Sequence, residues 1–232
     1  MVSSNVKIAA FPAKRFFVEM LTRDIELSDS ILDLLDNCLD GVLRKNNFTP
    51  EQTFGKSDVY KGYYAHIEFD ENSFRITDNC GGIPAKLAES YAFRLGRPAE
   101  READDLPTIG VYGIGMKRAI FKMGTSAQIL SKTENEQFSV TISPEWMADD
   151  ENWSLELERN NVDLNETGVS IQINNLRKDI KASLSKDRGF EEVLINIIAN
   201  HYSLIIKKGF EVKVNGCIVK PNSTNLIFDE EA

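Results

Sequence analysis

Carboxylates one helical turn apart, with an asparagine among them and no lysine, are an unusual outer face for a helix. SDSILDLLDNCLDGVLR carries such a set. Advancing about 100° per residue, Ile31, Leu32, Leu34, Leu35, Cys38, Leu39, Val42 and Leu43 cover half the circumference of a helix over 28–44. Asp33, Asp36, Asn37, Asp40 and Arg44 share a narrower stripe opposite, with Gly41 at its edge. An ordinary amphipathic helix with a solvated face would give the same alternation. Three carboxylates against one arginine, with Asn and Gly in place of stronger helix formers, suit a hard cation such as Mg²⁺ as well.

Two further stretches carry chemistry. FRITDNCGGIP puts Asp78 at the end of a strand, followed by Gly81, Gly82, Ile83 and Pro84. Asp and Gly are common in plain turns. The same residues also suit a carboxylate accepting from an exocyclic amine such as adenine N6, with glycines where backbone must approach a ligand. TIGVYGIGMKRAIF places Gly110, Gly113 and Gly115 before Lys117 and runs straight into a helix. Such a turn is either structural or an anion site, made of backbone N–H groups and a helix N-terminus, to which Lys117 adds a point charge. Its G-x-x-G-x-G spacing is neither the dinucleotide fingerprint nor a P-loop.

The elements that must hold these residues are readable around them. The helix over 28–44 has Ser28 or Asp29 as candidate N-cap. AHIEF and SFRIT flank Asp70, Glu71 and Asn72 as a β-hairpin. A short helix is expected over 84–93, a charged mobile loop over 96–109, and a helix from Gly115. SAQILS, QFSVTI, WSLELE and GVSIQI have strand character. Phe190, Leu194, Ile197, Ile198 and Ile205 recur at helical spacing up to Gly209, and FEVKVNGCIVKP forms a second hairpin turning at Asn215-Gly216. His66 and His201 are expected to be structural, and Trp146 and Trp153 to be packing residues. The order of elements predicts an α+β sandwich of two layers, a mixed and mostly antiparallel sheet with helices on one face.

The 232 residues allow one large core, expected as a single domain over 1–232 with its centre at about 20–220. The tail NLIFDEEA has no clear stop, so continuation into a longer protein is expected. A net charge of −9 argues against a main surface that grips nucleic acid, leaving DNA as a partner only through other domains or a local basic patch. Cys38, Cys80 and Cys217 form no C-x-x-C pair and point to a reducing compartment. The N-terminus is not a signal peptide, and no apolar run reaches the roughly 18 residues of a membrane span, so a soluble, cytoplasmic chain without a membrane partner is expected.

Taken in order, the three motifs resemble those of the GHKL (Bergerat-fold) ATPases: gyrase, MutL, the ninety-kilodalton heat-shock chaperones and sensor histidine kinases. LLDNCLDG resembles the N-box, ITDNCGGIP the first glycine box, GVYGIGMKRA the second, and ETGVSIQI the Thr/Gly strand beside the adenine, with Thr167 and Gly168 in the matching places. The look is nearest the microrchidia and heat-shock-chaperone branch. The resemblance implies ATP and Mg²⁺ as ligands, with Asn37 on the metal and Asp33 as general base. It implies Asp78 on the adenine amine with Gly82 and Ile83 beside it. It also implies Asp40, Gly110, Gly113, Ile114, Gly115, Met116, Lys117 and Thr167 around the nucleotide, and a nucleotide-dependent homodimer operating an attached domain. Two departures stand out. The family's base is a Glu where this chain has Asp33, and its first glycine after the adenine Asp is here Cys80. An ATP sensor that does not turn over is the alternative to an ATPase.

Overall fold

Ile31, Leu34, Leu35, Leu39 and Val42 are each no more than 2% exposed, so the apolar half of the first polar-striped helix is fully used. In the computed structural model, which describes residues 12–94, 114–160 and 162–222, this helix (α2) runs from Leu27 to Asn46. It starts earlier than expected, because Leu27 is itself buried. Neither Ser28 nor Asp29 caps it. Glu26 stands at the cap without a side-chain bond, and Asp29 lies in the first turn, where a carboxylate favours the helix dipole. Asn47 ends the helix in the left-handed conformation at φ 52°.

The strands are β1 (Tyr64–Phe69), β2 (Phe74–Asp78), β3 (Gly124–Lys132), β4 (Gln137–Ile142), β5 (Leu157–Glu158), β6 (Gly168–Leu176), β7 (Glu211–Val214) and β8 (Cys217–Ile218). They form one sheet in the order β5-β4-β3-β6-β2-β1-β7-β8. Only the β1–β7 pairing is parallel. Alternation assigns the faces: Ile67 pairs with Ile76, Ile76 with Ile171, and Ile171 with Ile129, all buried in one core with α2. The register also aligns Arg75, Gln172 and Gln128 on the opposite, polar face. The two-layer α+β architecture is therefore as expected.

Both hairpins form as read. Asp70 Oδ1 accepts from the N–H groups of Asn72 (2.7 Å) and Ser73 (2.9 Å) in the first. Asn215 and Gly216 both take positive φ in the second, as a type I′ turn requires. The short helix over 84–93 is α3 (Ala85–Leu87), continuing as a π turn over Ala88–Ala92, and α4 spans Gly115–Met123.

Three places differ from expectation. WSLELE yields only Leu157–Glu158 as strand, because Asp149 Oδ1 and Asn152 Oδ1 accept from nearby backbone N–H groups and hold residues 149–154 in turns. The helix expected from Phe190 to Gly209 breaks at Tyr202 into α7 (Phe190–His201) and α8 (Ser203–Lys207). Tyr202 turns its hydroxyl to the Asp36 carboxylate (2.7 Å) on α2. A helix α1 (Lys14–Thr22) adds an element that the sequence reading lacks. Its buried Lys14 lies over the Trp146 ring at 3.8 Å and donates to the Asn152 carbonyl at 2.7 Å. The helices α5 (Pro144–Ala148) and α6 (Lys178–Leu184) complete the layer.

Candidate functional site

Asp78 closes β2 on the inner face of the sheet, almost out of contact with water. Its Oδ1 accepts from the Cys80 N–H at 2.7 Å and the Val169 N–H at 3.3 Å, so the loop behind it and β6 both hold the carboxylate. Burial pushes this carboxyl up to about 6, against the opposing pull of those bonds and of Arg44. Three glycines explain how so much backbone converges here. A Cβ on Gly168 would stand 1.9 Å from the Asp78 carbonyl oxygen. A Cβ on Gly41 of α2 would stand 2.8 Å from the Cys80 carbonyl oxygen. Gly82, at φ 75°, would collide with the Lys132 carbonyl oxygen at 2.3 Å. Side chains finish the frame. Arg44 Nη2 donates to the Gly82 carbonyl (2.8 Å), the Ile83 N–H donates to Ser131 Oγ (2.8 Å), and Lys45 Nζ donates to Thr167 Oγ1 (3.2 Å).

The other end of the site is built from α2 and the start of α4. Asp33 stands eight positions before Gly41, roughly 12 Å along the helix at about 1.5 Å per residue. Gly115 begins α4 so close to Asp33 that a Cβ there would lie 3.4 Å from Asp33 Cβ and Cγ. Arg118, one turn into α4, donates to Asp33 Oδ2 through both Nε (3.2 Å) and Nη2 (2.7 Å). Asn37 is exposed, and its Nδ2 donates to the Asp33 carbonyl at 2.6 Å. That bond occupies the amide nitrogen and leaves the amide oxygen as the end able to meet a cation.

The expected stripe thus divides. Asp33 meets α4 and Asn37 bonds back to the Asp33 carbonyl, whereas Asp40 is buried with its charge beside Arg44. Asp36 is drawn away to Tyr202, and burial raises its carboxyl above the ordinary range. Ile114 and Gly115 are half-buried at the α4 start, and Met116 enters the core. Lys117 is buried as well. Its Nζ donates to the Ala92 carbonyl at 2.7 Å, and burial lowers its pKa to about 8. Gly110, Gly113 and the expected loop over 96–109 lie outside the described residues.

Sequence reasoning missed Arg118, Ser131 and Asn79. Asn79 Oδ1 accepts from the Tyr64 N–H at 2.8 Å and its Nδ2 donates to the Gly62 carbonyl at 2.8 Å, pinning the loop after β2 to the start of β1. The only available signal for Arg118 was its place one turn after Gly115. His66 proves structural, its Nε2 lying 3.0 Å from Glu211 Oε1, and His201 sits exposed at the end of α7. Trp146 stacks on Phe121 and Trp153 meets Phe17 edge to face, both as packing residues.

The arrangement offers a buried acceptor at one end and oxygens, an arginine and a helix N-terminus at the other, connected by one helix. The model of one protein family, described as "Histidine kinase-, DNA gyrase B-, and HSP90-like ATPase", matches residues 25–181. No curated protein matches the chain.

Proposed function

Because this chain belongs to the family of histidine kinase-, DNA gyrase B- and HSP90-like ATPases, and so carries a GHKL-type ATP-binding domain, we propose that it binds Mg-ATP along α2 and hydrolyses it slowly. Adenine sits against Asp78 in this reading, with Gly82, Ile83 and Thr167 around the base. The phosphates lie at the other end, by Asn37, Ile114, Gly115, Met116 and Lys117, together with Gly110 and Gly113. Asp40 acts from behind, through Arg44, on the loop that holds the adenine. The observation that carries the reading is the buried Asp78 carboxylate, fixed by two backbone N–H groups in a loop packed on Gly41 of α2, the helix that also carries Asn37 and Asp33.

Mg²⁺ fits the donors present. No group of three His, Cys, Asp or Glu exists among the described residues to hold a metal by itself. An ion that keeps several waters and bridges phosphates requires only one or two protein oxygens. The Asn37 amide oxygen would supply one, and the ion would neutralise phosphate charge when bound.

In hydrolysis Asp33 accepts a proton from the water that attacks the terminal phosphorus. The bond from that phosphorus to the bridging oxygen breaks, and its electron pair leaves on ADP. A well-placed base is worth about 10²–10⁴-fold, and misplacement by about 1 Å costs roughly 10²-fold. The side chain of Asp33 is one methylene shorter than the family's Glu, so slow turnover is expected. The second reading, sensing of ATP without turnover, draws its support from the hold of Arg118 on Asp33. Within the family we place the chain nearest the microrchidia and heat-shock-chaperone branch, on the D-N-x-x-D, D-x-x-x-G and G-x-x-G-x-G-x-K spacings. Closure over the nucleotide would join two copies and operate an attached domain.

Calorimetry with ADP and ATP, with and without Mg²⁺, tests the binding. Heat that depends on Mg²⁺ is expected, and no heat at millimolar nucleotide would sink the reading. Steady-state phosphate release separates the ATPase from the sensor. Sedimentation with a non-hydrolysable ATP analogue tests for the dimer.

A further inference from the structure

Arg118 commits both Nε and Nη2 to a single oxygen of Asp33, and the two side chains remain 32% and 24% exposed. An ion pair this open to water is weak and exchangeable. A terminal phosphate offers a guanidinium more: greater charge, and several oxygens spaced for two parallel N–H···O bonds. The position suits such an exchange. Arg118 lies one turn into α4, on the same side as Gly115, whose Cα carries the helix start against Asp33. Lys117, the cation that the sequence offers first, donates to the Ala92 carbonyl from a buried position, whereas the Arg118 guanidinium lies against Asp33.

We propose that Arg118 is the residue by which this site distinguishes a nucleoside triphosphate from a diphosphate. Its guanidinium leaves Asp33 for the terminal phosphate, and ADP, lacking that group, leaves the ion pair intact. The exchange has a second effect, since the same move releases Asp33 Oδ2 toward water only when a triphosphate is present. The inference rests on the placement of the phosphates by Asp33 proposed above. It adds a specificity residue that acts on binding, apart from any chemistry.

The test measures the affinity of the chain for ADP and for a non-hydrolysable ATP analogue, each with Mg²⁺, by calorimetry. Arg118→Ala is expected to leave ADP affinity within about threefold and to lower analogue affinity about tenfold, the size of one charged hydrogen-bonding group. Arg118→Lys, which keeps the charge without the fork, should recover part of the loss. Asp33→Asn removes the competitor for the guanidinium, so the preference for the analogue over ADP should rise. A merely structural ion pair would move both affinities together, or neither, in all three variants. Equal effects on the two ligands would overturn the role of Arg118 and leave the nucleotide site standing. Failure of the parent chain to bind either ligand would overturn the site itself.

Discussion

Asp78 and Asp33 are both aspartates of one site, both lie against a glycine from another element, and they are held in opposite ways. Around Asp78 the contacts are backbone on backbone: Gly41, Gly82 and Gly168 each stand where a Cβ would strike a carbonyl oxygen, at 2.8, 2.3 and 1.9 Å. Around Asp33 the hold is a half-buried arginine side chain, and Gly115 leaves an ordinary 3.4 Å of clearance. Backbone contacts of the first kind cannot be exchanged without unfolding something, whereas an ion pair that water can reach can change partners within a folded state. One end is thus suited to recognise a constant group, and the other to respond to a group that comes and goes.

Glycine substitution gives the sharpest contrast between the two ends. Gly168→Ala forces a Cβ into the Asp78 carbonyl and should cost about 3 kcal/mol or more. In a chain of this size that lowers Tm by roughly 6–12 °C, read by thermal melting. Gly115→Ala should change stability by less than about 1 kcal/mol, since clearance is ordinary and Ala is the better helix former. Equal losses in the two variants would erase the distinction.

Removal of each carboxylate comes next. Asp78→Asn turns the proposed acceptor for the adenine amine into a partial donor and should weaken ADP binding about 10–100-fold by calorimetry. Asp33→Asn should leave ADP binding nearly intact while abolishing residual phosphate release, and Asp33→Glu should keep or raise it. Should Asp33→Asn release phosphate as fast as the parent, the base lies elsewhere. Asp36, named by the sequence as the next carboxylate, already bonds Tyr202 and is the poorer substitute.

A pH titration probes Asp78 alone. Its carboxyl is raised by burial to about 6 from an ordinary 3.8. Between about pH 4 and pH 6 the folded, unliganded chain therefore keeps a proton that the unfolded chain has lost. The stability from this group is complete below about pH 4 and is lost as pH rises through about 6. The proposed adenine contact needs the ionised acceptor, so ADP affinity should fall up to about tenfold per unit as pH drops below about 6. Calorimetry near pH 6 in buffers of different ionisation heat should show proton release on binding, and heats independent of buffer would contradict the assignment. The smallest effect belongs to the ion pair. Arg118→Ala should shift the stability of the unliganded chain by no more than about 1 kcal/mol, measured by denaturant unfolding.

What could be read from the sequence follows the same division. Asp78 and Gly82 are legible as an Asp at a strand end and a glycine in the turn after it, whereas Gly168 is reached only through the family resemblance. The apolar half of α2 was legible from its period. The partnership of Arg118 with Asp33 joins residues 85 positions apart, and that of Tyr202 with Asp36 joins residues 166 apart. No period or motif encodes such pairs, so the stripe on α2 looked uniform when its members in fact face different neighbours. The break at Tyr202 was hidden for the same reason, since helical spacing continues across it while the hydroxyl finds its partner on α2. Helix α1 is hidden for the same reason, since its Lys14 is buried against a tryptophan far along the chain.

The parallel pairing of β1 with β7 carries a consequence for synthesis and for truncation. Tyr64 lies beside Glu211, so the first strand of the first hairpin waits for residues 211–214 to emerge before its second neighbour exists. Until then Ala65 and Ile67 sit on an open sheet edge, with amides facing outward, a template for any other extended chain. A fragment cut at residue 181, where the family resemblance stops, would carry every carboxylate of the site and keep that edge permanently bare. Such a fragment would be prone to self-association. In the folded chain the pairing with β7 covers that edge.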